Sequence, residues 1–283
     1  MRPQVKDARP SGWVDPFVAR PVNLFSLVVG FVDKTLVIAE LEVRRLRHDF
    51  TDLITRAIQP VLWLLLFGEV FTKVRAIPSG DIPYLDFMAP GILAQSVLFV
   101  AIFYGIGIIW ERDLGIVHKF LVSPTPRSAL VLGKALSAGV RSVSQAVIIY
   151  VLALVLGVKM NWRVPALIGV LATVILGAAL FSTISLIIAS LVKTRERFMG
   201  MGQVLTMPLF FASNAIYPIA MMPRWLQVIS HANPLTYEVD ALRDLMLARG
   251  TSSFGLALDF SVLLATTVIA VIVGARLYPR VVT

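Results

Sequence analysis

WERDLGIVHKFLVSPTPRSALVLGK, residues Trp110–Lys134, is a charged, proline-punctuated stretch set between two long apolar runs. On its amino side Phe87–Ile109 carries no charge, and on its carboxyl side neither does Ser142–Val158. A polar stretch of this length between two bilayer-sized runs belongs at a membrane surface. Its Arg112, Lys119, Arg127 and Lys134 favour the cytoplasmic surface, where basic residues accumulate. On this reading the chain is a helical membrane protein and this stretch is one of its inner loops.

Composition points the same way. Of 283 residues, 57% are hydrophobic and 15% charged, with a mean hydropathy of +0.81, values foreign to soluble globular chains. An apolar helix of about 20 residues crosses a hydrocarbon core about 30 Å thick. Six stretches qualify, near 53–72, 87–109, 141–158, 165–192, 203–222 and 257–277. The net charge of +9 divides unevenly over that topology. With the amino terminus inside, only Lys73, Arg75, Lys159, Arg163, Arg224, Arg243 and Arg249 fall outside, which predicts two cytoplasmic termini. Anionic membrane lipid is then the natural partner of the basic charge, with no need for nucleic acid. The absence of cysteine excludes disulfides, thiolate metal sites and cysteine nucleophiles.

Pro3, Pro10, Pro16 and Pro21 among charges predict an irregular cytoplasmic tail over 1–30, with Val22–Val32 retained as an interfacial segment because no signal-peptide cleavage site follows. Leu36, Ala39, Val43, Leu46, Phe50 and Leu53 then share one helical face, so 31–52 is expected to be an amphipathic helix lying in the interface. The membrane domain follows over 53–278. Gln59-Pro60 predicts a kink in span one. Met88-Ala-Pro-Gly91 can tilt or break the start of span two, whose Gln95, Ser96, Gly105 and Gly107 suit close packing or a polar lining. Gly169, Thr173 and Gly177 form a small-residue stripe on which another helix can pack.

The segment 218–252 between spans five and six is too apolar for a solvated loop. Pro223 opens a short helix carrying Trp225, Leu226 and Ile229. Asn233-Pro234 opens a second, with Val239, Leu242, Leu245 and Met246 as its apolar face. Two short helices re-entering the outer leaflet would satisfy their backbones and bury those faces.

Energy-transducing chemistry is missing. The phosphate-loop pattern GxxxxGK[ST] is absent, since Gly133-Lys134 is followed by Ala135, so nucleotide hydrolysis by this chain is not expected. His48, His118 and His231 are far apart and show no metal-ligand spacing. Glu69 and Asp259 sit near the ends of predicted spans, where water reaches them, which disfavours an ion-coupled secondary transporter. Glu111 and Asp113 are the one close acidic pair on an inner loop between spans, and a lipid-modifying membrane enzyme would use them to hold magnesium. Salt bridging and helix capping are the simpler role for that pair. What remains is a conduit driven by another subunit.

Several motifs carry a family resemblance. Asn233-Pro-Leu-Thr-Tyr237 with Arg243, preceded by Tyr217-Pro218 and Met222-Pro223, resembles the signature around the fifth span of type-2 ATP-binding cassette exporter permeases. Trp110-Glu-Arg-Asp-Leu-Gly115, Pro124-Thr-Pro-Arg127 and Gly133-Lys134 are similar to that family's coupling segment, here 110–134. Gln59-Pro60 with Phe67-Gly68 is similar to its first span. The resemblance implies an all-α, six-span permease for drugs, nodulation factors or polysaccharides. It implies a second permease subunit, identical or related, and two cytoplasmic ATPase subunits that hold the ATP and magnesium. It further implies coupling roles for Glu111, Arg112, Gly115, Lys119 and Arg127, and an outer gate at Tyr217, Asn233, Tyr237 and Arg243. Trp63, Gln95, Phe99, Phe103, Phe211 and Asn214 are the expected pore-lining residues of a prokaryotic plasma-membrane exporter.

Overall fold

Apolar runs of this length leave the backbone one economical way to satisfy its hydrogen bonds in lipid, and the chain takes it. The computed structural model describes residues 55, 58–68, 70–71, 82–115 and 127–278, with backbone only for 127–129. The tail, the interface helix expected at 31–52, Glu69 and Lys119 lie outside these residues. The regular structure consists of α1 (Ile58–Gly68), α2 (Tyr84–Tyr104), α3 (Ile106–Asp113), α4 (Arg127–Val155) and α5 (Val164–Leu191). It continues with α6 (Arg195–Phe211), α7 (Arg224–Ala232), α8 (Pro234–Met246) and α9 (Leu256–Leu277). Among the described residues, four stretches are long and apolar enough to cross a membrane: Tyr84–Asp113, Leu130–Val155, Val164–Leu191 and Leu256–Leu277.

Two boundaries differ from those expected. The third apolar helix begins at Arg127 and not near 141, so Gly133 and Lys134 lie inside α4 and the coupling segment gives up its last third to a helix. The helix expected over 203–222 runs instead from Arg195 to Phe211. Thr194 accepts from the Arg197 N–H and so starts α6 inside the basic loop, and the chain turns back after Pro208. Span two also behaves differently. The helix runs unbroken through Pro90 and Gly91, and the discontinuity falls at Gly105, where the Ile102 carbonyl accepts both the Gly105 N–H and the Ser185 hydroxyl. In α1, Trp63–Gly68 is wound as a π-helix.

Burial ranks the helices. In α2 all of the 21 residues except Leu85, Phe99, Phe103 and Tyr104 are buried, so it is the central element. In α9 only Asp259, Leu263, Thr267, Ala270 and Gly274 are buried, a single stripe on a peripheral helix. Lipid gives little hydrophobic drive for helix association, so close approach by small residues matters more. The Gly169–Gly177 stripe of α5 meets α8: Leu245 covers Gly169, and the Glu238 carboxyl covers Gly177.

Candidate functional site

The 28 residues of α5 span about 42 Å at 1.5 Å per residue, and two polar clusters mark its opposite ends. At the Asp113 end, Lys134 Nζ of α4 donates to Glu111 Oε2 of α3 at 2.5 Å, tying these two helices together. Arg112 donates to the carbonyls of Val192 and Lys193, in the linker from α5 to α6. Asp113 accepts from Arg112 at 3.1 Å and from Arg195 at 2.9 Å, and Arg195 lies 3.5 Å above the Trp110 ring. Asp113 thus pairs with two arginines and Glu111 with a lysine, so the two carboxylates serve different cations. Gly115 adopts φ 71° just after the helix, a conformation that favours glycine. Arg127 begins α4. Sequence reasoning named Glu111 and Arg112 but missed Arg195 and the role of Lys134, because the pairs join residues on separate helices.

At the Arg243 end, α7 and α8 form a hairpin. Asn233 caps α8 by accepting from the Leu235 N–H, while its Nδ2 donates to the Leu209 carbonyl of α6. Tyr237 donates to the His231 carbonyl, and Tyr217 to that of Phe211. Arg243, 6% exposed, donates to the Asn214 carbonyl at 2.8 Å and lies 3.9 Å over the Phe87 ring. Burial pulls its guanidinium down to about 10, with nearby Asp240 acting in the opposite sense, so it stays charged at neutral pH. Asp240 Oδ2 accepts from the Ser252 hydroxyl and the N–H groups of Ser253 and Phe254. Asp259, expected near water, is fully buried, with its Oδ2 2.9 Å from the same Ser252 hydroxyl.

The apolar face expected on α8 is correct for Val239, Leu242 and Met246, yet Glu238, Asp240 and Arg243 are buried too. Neither oxygen of Glu238 has a hydrogen-bond partner among the described residues. Burial without a partner pushes the Glu238 carboxyl well above the ordinary carboxylate range, which favours its neutral form. Glu238→Gln, its neutral isostere, is therefore expected to melt within about 1 kcal/mol of the parent chain, and Glu238→Lys to unfold it; thermal unfolding in detergent checks both. Three charges within Glu238–Arg243, set in a segment too apolar for a loop, were the signal that could have found this cluster. On α7 the apolar residues go the other way: Trp225 and Ile229 stay exposed.

The expected pore-lining residues separate into three places. Gln95, Phe99 and Phe103 share a cavity of about 310 Å³ with Gln59, Ser96 and Gln145. Trp63 stacks on Phe67 at 4.6 Å and meets Phe210 and Phe211 of α6 edge-on. Asn214 lines a second cavity of about 550 Å³ beside Arg243.

Sequence comparison decides what these clusters belong to. The profile of the family described as ABC-2 type transporter matches residues 34–247. The chain belongs to that family. The ABC-2 match takes in α1 through α8, and hence the whole Asp113-end cluster and the Arg243-end residues as far as Met246. Among its relatives is a protein of Cyanophora paradoxa named as transport permease ycf38, 30% identical over 75% of this chain and 74% of its own. The daunorubicin resistance ABC transporter permease protein DrrB1 of Streptomyces coeruleorubidus is 27% identical over 74% and 72%. The inner membrane transport permease YadH of Escherichia coli K12 is 23% identical over 66% and 73%. As an ABC-2 chain with relatives named as permeases, this protein is a membrane transport component.

Proposed function

We propose that the chain is the membrane subunit of an ABC exporter that moves an amphiphilic, lipid-like or drug-like substrate outward, powered by ATP hydrolysis on separate cytoplasmic subunits. The ABC-2 match, which spans α1 through α8, is the observation that carries this reading. In it the described helices make six spans, namely α1, α2 with α3, α4, α5, α6 and α9, in a domain over 53–278, with both termini cytoplasmic in a prokaryotic plasma membrane. The α7–α8 hairpin re-enters the outer leaflet. A second permease, identical or related, faces the first, and two ATPases carrying ATP and magnesium dock beneath, against the amphipathic segment 31–52 and the segment 110–134.

The Asp113-end cluster supports a mechanism for the coupling. Lys134–Glu111 ties the two sides of the segment, and Arg112, Asp113 and Arg195 tie it to the start of α6. A push on the segment is thus delivered to α6 as a rigid lever, and α6 ends at Phe210 and Phe211 against Trp63 of α1. Closure of the ATPases on ATP supplies the differential free energy that this lever carries. The enzyme alternative is less well supported, because the carboxylates of Glu111 and Asp113 turn to different cations and not to a shared metal.

Two experiments test the reading. The tagged chain purified in mild detergent should bring down a stoichiometric ATPase subunit with a Walker A lysine; recovery of the chain alone after crosslinking would sink the proposal. Glu111→Ala should fold normally, since a partly exposed ion pair contributes about 1 kcal/mol or less. Its transport-coupled ATPase activity should drop about fivefold or more, the low end of a coupling free energy. Wild-type coupling in that variant would remove Glu111 from the lever.

A further inference from the structure

The 550 Å³ cavity beside Arg243 is positively lined: Arg243, Arg249 and His231 face it, and no carboxylate does among the described residues. Asp240, the acid next to Arg243, is already engaged by the Ser252 hydroxyl and two backbone N–H groups, and its Oδ1 stands 3.9 Å from the guanidinium. Arg243 is nine-tenths buried, yet its Nε has no partner among the described residues. The Phe87 and Phe254 rings give the same cavity apolar walls. His231 engages the Gln227 carbonyl through Nδ1, so its Nε2 can donate to an anion once the ring is protonated.

We propose that this cavity binds the anionic head of an amphiphile, a phosphate, sulfonate or carboxylate, with the adjoining apolar part against Phe87 and Phe254. Arg243 is the fixed, buried donor. Arg249 is exposed and supplies the second charge from the rim. The inference stands on the cavity and its charges, so a chain that proved not to be coupled to an ATPase would keep the site.

The test uses the full chain in phosphatidylcholine nanodiscs, titrated with soluble dihexanoyl phosphatidic acid and, separately, with dihexanoyl phosphatidylcholine. The phosphatidic acid should bind the parent chain and bind Arg249→Gln about tenfold more weakly, the loss of one charge-assisted contact. Phosphatidylcholine should bind both weakly. Unliganded melting temperatures equal to the parent's verify that Arg249→Gln is folded. Parent-like phosphatidic acid affinity in Arg249→Gln, or equal affinity for the two probes, would overturn the proposal. Repeating the titration with phosphatidylglycerol in the nanodisc separates the sources of the head group. A loss of probe affinity confined to the parent chain identifies bilayer lipid as the occupant. Unchanged affinity identifies a free amphiphile.

Discussion

Gly91→Leu is expected to abolish the folded chain. Gly91 sits in the buried centre of α2, and a Cβ placed on it would overlap the backbone carbonyl, carbonyl carbon and Cα of Ala215. A flexible side chain could rotate away from such an intrusion, but a backbone has to move as a body. The backbone at Ala215 cannot yield easily. Its N–H donates to the Ser213 hydroxyl, which itself donates to the Phe210 carbonyl, and the Tyr84 hydroxyl holds the Ile216 carbonyl at 3.0 Å. Overpacking a tight core costs about 1–3 kcal/mol, and this site belongs at or above the upper end. Gly91→Ala should therefore lower the melting temperature measurably while Gly91→Leu leaves no monodisperse peak on size-exclusion chromatography. A parent-like melt for Gly91→Leu would show that α2 and the 212–217 turn are not packed together.

Asp240→Ala is the second large effect. Its carboxylate is fully buried and accepts three hydrogen bonds from Ser252–Phe254, the turn that leads into α9. Alanine leaves two backbone N–H groups without their acceptor and Arg243 without its neighbouring negative charge. Removing one partner from a buried charged network costs about 3–5 kcal/mol. Asp240→Asn keeps the shape and an acceptor oxygen, so it should recover part of that loss in a thermal melt. Pairing Asp240→Asn with Arg243→Gln should give less than the sum of the single losses, because the second change removes the charge that the first left uncompensated. Additive losses would mean that the two residues act independently.

Much of this protein was legible in order along the chain. Asn233-Pro234 and Pro223 announced the two short helices, because capping and proline preferences act within one turn. The stripe Gly169–Thr173–Gly177 announced a packing face, and the structure supplies its partner, α8. Boundaries were less legible: Thr194 starts α6 within a basic run that hydropathy assigns to a loop, since a cap is one side chain and not an average. The site was half legible. Glu111 and Arg112 stood out as charges at the end of an apolar helix, and Arg243 as part of a motif, but their partners did not.

The sequence by itself determined that the chain is a helical membrane protein of the ABC-2 type, where its main apolar helices and its hairpin lie, and that it lacks a phosphate-binding loop. These are properties of composition, local periodicity and contiguous motifs. Only the tertiary structure decided that Lys134 meets Glu111, that Arg195 meets Asp113, that Ala215 lies against Gly91, and that Glu238, Asp240 and Arg243 are buried together. Each of the first three joins segments separated by tens of residues, and burial depends on what the other helices cover. Such pairings are fixed by the packing of all the helices at once, and no local pattern encodes them.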